Sequence, residues 1–190
     1  MKFKNYLIVE MSLEKAINFA IDKHKGQYRS DKKIPYIVHP TGVFEFLKSK
    51  MGIKDVVILV ASFLHDTLED TKTTYNEIKN EFNKEVADLV IQLTSDKKEI
   101  EKVGKPEYLL QKMIKMSDNA LTIKLADRLH NLQDINSVSD KFARKMWSQT
   151  TYIIKRLRTE RSLNQTQNKI VRMIYKQLDS YKPRGSQHEI

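Results

Sequence analysis

The sequence predicts an all-α fold, a compact single-domain array of roughly eight to ten helices. Three observations predict it. Apolar residues recur at i, i+3 and i+4 along nearly the whole chain. No segment carries a convincing strand pattern, and no internal repeat is present. The 190 residues, 40% apolar and 8% aromatic, are enough for one domain with a real core.

The elements follow in order. In SLEKAINFAIDKHKGQ, Leu13, Ala16, Ile17, Ala20, Ile21 and His24 keep helical spacing, with Ser12 placed to cap. QYRSDKKIPYIVHPTG reads as a loop, because Pro35 and Pro40 interrupt any continuous helix. VFEFLKSKM is a short helix. KDVVILVASFLHDTLED is apolar round most of its circumference, which marks a central buried helix. TTYNEIKNEF starts with a Thr cap, NKEVADLVIQLTS is amphipathic, and DKKEIEKVGK is a polar connector. PEYLLQKMIKM, NALTIKLADRLHNLQDI and a long segment from Asp140 to Arg161 read as helices. A last helix runs from Leu163 to Tyr181, and KPRGSQHEI reads as a flexible tail. One domain is therefore expected over residues 1–181, with a tail over 182–190. Only near Ser137, where the charge changes, does an internal boundary suggest itself.

Composition narrows the chemistry. With no cysteine, disulfides, thiolate nucleophiles and zinc–thiolate sites are excluded. The longest apolar run, VVILVASFL, is too short to span a bilayer and leads into charge. MKFKNYLIVEM lacks the long apolar core and cleavage site of a signal peptide. A cytoplasmic location is expected. The net charge is +10, and residues 141–190 hold 12 Lys and Arg against three acids. That basic third would attract an anionic small substrate, a membrane surface or nucleic acid, or would serve only as a solvated helix face.

The chemistry concentrates in FLHDTLEDT. Residues four apart on a helix differ by about 40°, so His65 lies under Glu69 and Asp66 under Asp70. An adjacent His-Asp pair offers an imidazole nitrogen and a carboxylate oxygen to one metal. Glu69 and Asp70, one turn on, are suited to moving protons. The plain alternative is a capped helix end. Acids oppose the dipole there, and a divalent cation would offset that cost. His39, in YIVHPTG, is expected in an extended segment between two prolines. Asp127 falls inside the apolar pattern of IKLADRLHNLQDI and needs a cation, whether Lys124, Arg128 or a metal. Together His39, His65, Asp66 and Asp127 form a sulfur-free donor set suited to manganese, magnesium, iron or zinc, with the carboxylates leaning toward manganese. Spacing alone does not bring the four together. His24 reads as a packed histidine that positions the following loop.

HKGQYR, IPYIVHP, FLHDTLEDT (with Phe63 where leucine is common) and IKLADRLHNL, in this order, resemble the hydrolase domain of the RelA/SpoT family. That domain belongs to the HD superfamily of metal-dependent phosphohydrolases. The resemblance runs from Leu13 to Asn136 and continues more weakly to Arg158. It implies an HD-type helical fold and one Mn2+ held by His39, His65, Asp66 and Asp127. It implies that Glu69 and Asp70 activate water or relay its proton. Arg29 would pack on a guanine ring, with Ser30, Asp31 and Lys32 in the same base-binding loop. Asn131 would reach the ribose, and Arg144 or Lys145 the 5′-diphosphate. The implied reaction is metal-activated hydrolysis of the 3′-pyrophosphate of (p)ppGpp, the alarmone of the stringent response, to GDP or GTP plus pyrophosphate.

The chain ends without room for the synthetase and regulatory domains of the long family members, and so resembles the stand-alone small alarmone hydrolases. Some relatives of that group act as NADPH 2′-phosphatases or on adenine alarmones, and these remain alternative substrates. A non-catalytic nucleotide-binding HD protein is the third reading, and an intact Glu69–Asp70 pair argues against it. No helix-turn-helix or aromatic-interleaved basic motif points to nucleic acid. No phosphate loop or nucleophile elbow supports a kinase or esterase.

Overall fold

The computed structural model describes residues 2–29, 33–135 and 138–181, with side chains from Glu10 onward. Among the described residues all extended regular structure is helical, as predicted. One isolated bridge, Tyr28 to Pro35, is the β feature seen. The chain divides into two compact units, Met1–Ser95 and Asp96–Ile190. Ser137 lies outside the described residues.

The first unit comprises α1 (Lys2–Lys23), α2 (Val38–Glu45) continued by a π-helical turn (Phe46–Lys50), α3 (Val56–Leu64), α4 (Thr67–Asp70), α5 (Tyr75–Glu81) and α6 (Lys84–Leu93). Helix α3 is its centre and packs on α1, α2 and α6. All of Ile58–Leu64 is buried, as its apolar circumference predicts. Phe63 of α3 stacks on Phe44 of α2 with ring centroids 4.3 Å apart. Asp55 starts α3 by accepting the Val57 and Ile58 amides, Thr74 and Glu77 form a capping box on α5, and Asn83 caps α6.

Three local expectations are corrected here. Ser12 is no cap, because α1 begins at Lys2; no Gly or Pro interrupts residues 2–23, so nothing stops the helix from starting earlier. His39 is not in an extended segment but in the first turn of α2. Pro40 is tolerated there because first-turn amides have no intrahelical acceptor to lose. The helix expected to run through Asp70 ends at Leu64 and restarts at Thr67. Its last carbonyls are taken by side chains: Ser62 O accepts from His65 Nδ1, and Leu64 O from Thr67 Oγ1, both at 2.7 Å.

The second unit comprises α7 (Lys97–Val103), α8 (Lys105–Lys115), α9 (Asp118–Gln133), α10 (Asp140–Glu160) and α11 (Gln165–Ser180). The polar stretch read as a connector is helix α7. Asp96 caps it by accepting the Lys98 and Glu99 amides. Gly104, at φ 83°, makes the left-handed break that separates α7 from α8. Helix α9 packs along α11, and α8 along α10. Leu121, Ile123, Leu125, Ala126, Leu129 and Leu132 fill the core side of α9.

Candidate metal centre

The break between α3 and α4 builds the centre of the first unit. Because His65 Nδ1 donates to the Ser62 carbonyl, the neutral form of the ring carries its lone pair at Nε2. That Nε2 lies 3.3 Å from His39 Nε2 and 3.0 Å from Asp66 Oδ2. His39 Nε2 is 3.6 Å from the same oxygen. Both imidazoles are buried, and Asp66 is mostly so. Donors held about 2.1–2.2 Å from one ion at tetrahedral or octahedral angles stand about 3.0–3.6 Å apart. The three atoms therefore fit a divalent cation, and the absence of sulfur favours a hard or borderline one.

Two further carboxylates flank these donors. The Tyr36 hydroxyl lies between two carboxylates and shares its one proton between them, 2.5 Å from Asp66 Oδ2 and 3.2 Å from Asp70 Oδ2. Partial loss of solvent, then repulsion from Asp66 and Glu69, raise the Asp70 carboxyl above its ordinary range, against the opposing Tyr36 hydrogen bond. Glu69 points one oxygen at the end of α6 and accepts the Ser95 amide at 2.8 Å. Gln27 ties the incoming loop down: its Nε2 donates to the Asp70 carbonyl at 2.7 Å, and its Oε1 meets His24 Nδ1 at 2.8 Å. His24 is buried against the Tyr36 ring, with centroids 4.8 Å apart, so it does position this loop. Tyr36 escaped the sequence reading. The one hint was its place beside Pro35, within IPYIVHP.

The remaining candidates are distributed as follows. Arg29 is half-buried, and its amide donates to the Ile34 carbonyl at 2.8 Å. Ser30, Asp31 and Lys32 lie outside the described residues. In the second unit, Asp127 is buried on α9. It pairs with Lys124 Nζ at 2.9 Å through Oδ2 and accepts from Asn131 Nδ2 at 2.6 Å through Oδ1. Of the cations the sequence offers it, Lys124 is therefore paired with it within this helix. Arg144 is exposed on α10, where its Nε donates to Asp140 Oδ2 at 2.7 Å.

An all-helical chain in which a His-Asp pair closes a buried helix and faces a second histidine defines a helical metalloprotein with nitrogen and oxygen ligands. The model of the HD domain family matches residues 16–163, and the chain belongs to that family. With the family shown, the buried His/Asp cluster is a divalent-metal site. Among curated proteins, the chain is similar to guanosine-3′,5′-bis(diphosphate) 3′-pyrophosphohydrolase MESH1 of Xenopus tropicalis. The two are 43% identical over 121 residues, 63% of this chain and 67% of the relative. The Homo sapiens protein of that name is 42% identical over 125 residues, 65% of this chain and 69% of the relative. Among solved structures, a metazoan ortholog of SpoT described as hydrolysing ppGpp superposes with a TM-score of 0.76. It is 27% identical, over 87% of this chain and 94% of its own.

Proposed function

We propose that this protein is a manganese-dependent 3′-pyrophosphohydrolase of (p)ppGpp. The observation that carries the reading is the convergence of His39 Nε2, His65 Nε2 and Asp66 Oδ2 within 3.6 Å, with a raised-pKa carboxyl, Asp70, beside them. Its support is membership of the HD family and similarity to proteins named for this activity.

His39, His65 and Asp66 hold the ion, and Asp127 of α9 is the fourth ligand. Burial of Asp127 suits that role. Lys124 Nζ stands 2.9 Å from its Oδ2. When bound, the ion supplies Lewis-acid polarisation of the phosphoryl oxygen and makes water more acidic. Glu69, fixed by the Ser95 amide, and Asp70 handle the proton. Water adds to the phosphorus attached to the 3′ oxygen, the P–O3′ bond breaks, and the 3′ oxygen takes up a proton. The products are pyrophosphate and GDP or GTP.

Arg29 packs on the guanine, with Ser30, Asp31 and Lys32 in the same loop. Asn131 reaches the ribose, and Arg144 takes the 5′-diphosphate after exchanging Asp140 for it. A cysteine-free chain in which no described helix is long and apolar enough to cross a membrane suits a cytoplasmic nucleotide substrate.

Product analysis tests the reading. Manganese-loaded protein is incubated with ppGpp and, separately, with NADPH, beside an Asp66→Ala sample, and products are resolved by ion exchange. GDP and pyrophosphate from ppGpp, lost in Asp66→Ala, are expected. Intact ppGpp with dephosphorylated NADPH would overturn the substrate and keep the metal site.

A further inference from the structure

We propose that Tyr36 is a positioning residue of this centre: its hydroxyl locks the Asp66 oxygen that faces both histidines and spans from there to Asp70. The proposal rests on the metal-dependent hydrolase reading above.

A phenol has one proton to donate. The 2.5 Å contact directs it chiefly to Asp66 Oδ2, the oxygen that stands 3.0 Å from His65 Nε2 and 3.6 Å from His39 Nε2. The hydroxyl oxygen stays 3.2 Å from Asp70 Oδ2. One hydroxyl therefore touches a proposed ligand and a proposed proton carrier together. A fixed outer donor restricts the rotation of a ligand carboxylate about χ1 and χ2.

Tyr36 is itself held on several sides. Its ring packs against His24 at 4.8 Å and His39 at 5.9 Å between centroids. Its amide donates to the Gln27 carbonyl, and its carbonyl accepts the His39 amide, both at 2.9 Å. Gln27 also grips the Asp70 main chain. The Tyr28–Pro35 bridge closes the loop just before it. The hydroxyl thus has a rigid mount, which a positioning group needs.

Tyr36→Phe removes the hydroxyl and keeps the ring. The full chain is examined by circular dichroism and thermal melting, by titration with Mn2+ followed by electron paramagnetic resonance, and by ppGpp turnover. The variant is expected to fold and melt as the parent does. It is expected to bind Mn2+ about 10-fold more weakly and to lose kcat by a similar factor, with KM little changed. Tyr75→Phe deletes another phenol–carboxylate bond, to Asp88, and is expected to change neither. Asp70→Asn keeps the Asp66 contact and is expected to hold Mn2+ within about threefold of the parent, since only a direct outer-shell donor costs more.

Wild-type Mn2+ affinity in Tyr36→Phe overturns the proposal. So does an equal loss in Asp70→Asn, which would assign the effect to charge. A Tyr36→Phe chain that does not fold, or melts earlier with unchanged affinity, makes Tyr36 a scaffold residue and overturns it too. If the wild type binds Mn2+ but leaves ppGpp intact, the substrate reading fails, while the affinity comparison still decides the role of Tyr36.

Discussion

Asp66 Oδ2 stands among two imidazole nitrogens and a phenol hydroxyl. Removing that carboxylate takes away the oxygen that stands 3.0 Å from His65 Nε2 and 3.6 Å from His39 Nε2. Asp66→Ala is therefore expected to lower Mn2+-dependent turnover by at least about 100-fold, and the apo fold to persist by circular dichroism. Retained turnover in that variant would remove Asp66 from the site. At this scale the sequence was a good guide to residue types. His65 and Asp66 are neighbours whose chemistry is visible in one word, and Asp127 stands out as an acid among leucines. It could not show that the hydroxyl of Tyr36 reaches Asp66, 30 positions away, because no spacing rule connects a loop tyrosine with the end of another helix. It also misplaced His39, since Pro40 reads as a helix breaker unless the first turn is already known.

Among elements, one arginine ties α8, α9 and α10 together. Arg161 donates from Nη1 to the Met113, Ile114 and Met116 carbonyls, and from Nη2 to Asp118 Oδ1 at 2.7 Å. One guanidinium thus closes the end of α8 and the start of α9 from the end of α10. Arg161→Met strands the carbonyls and is expected to cost about 2–4 kcal/mol, measured by urea unfolding. The Arg161 hydrogen bond, then that of Gln167, hold the Asp118 carboxyl below its ordinary range. A depressed carboxyl adds stability above its unfolded pKa and loses it as pH falls through the folded value. Wild type should therefore lose more stability than Asp118→Asn on acidification below about pH 4. Parallel curves for the two would refute the coupling. Helix α7 shows why this level was only partly legible. It buries no residue and carries just Ile100 and Val103 among charged side chains, so periodicity was silent, and the Asp96 cap with the Gly104 break defines it instead.

At the scale of the whole molecule, metal and charge have separate signatures. Binding at about 100 times Kd adds about 2.7 kcal/mol to the folded state, which for a chain of this size raises Tm by roughly 5–10 °C. Melts with Mn2+ and with chelator should differ by that amount in wild type and coincide in His65→Ala. The excess of 34 Lys and Arg over 24 acids predicts that KM for ppGpp rises about threefold or more between low and moderate salt, with kcat little changed. A flat salt profile would leave the basic face without a part in capture. The sequence by itself determined the all-helical class, the buried central helix, the sulfur-free donor set and the family, because these follow from composition, from a 3.6-residue period and from contiguous motifs. Only the tertiary structure decided that α3 stops at Leu64, that His39 turns into α2 to face His65, and that a tyrosine hydroxyl joins two carboxylates. Those outcomes depend on which carbonyls and carboxylates find donors across the fold, and that competition is settled by packing between residues far apart in the chain.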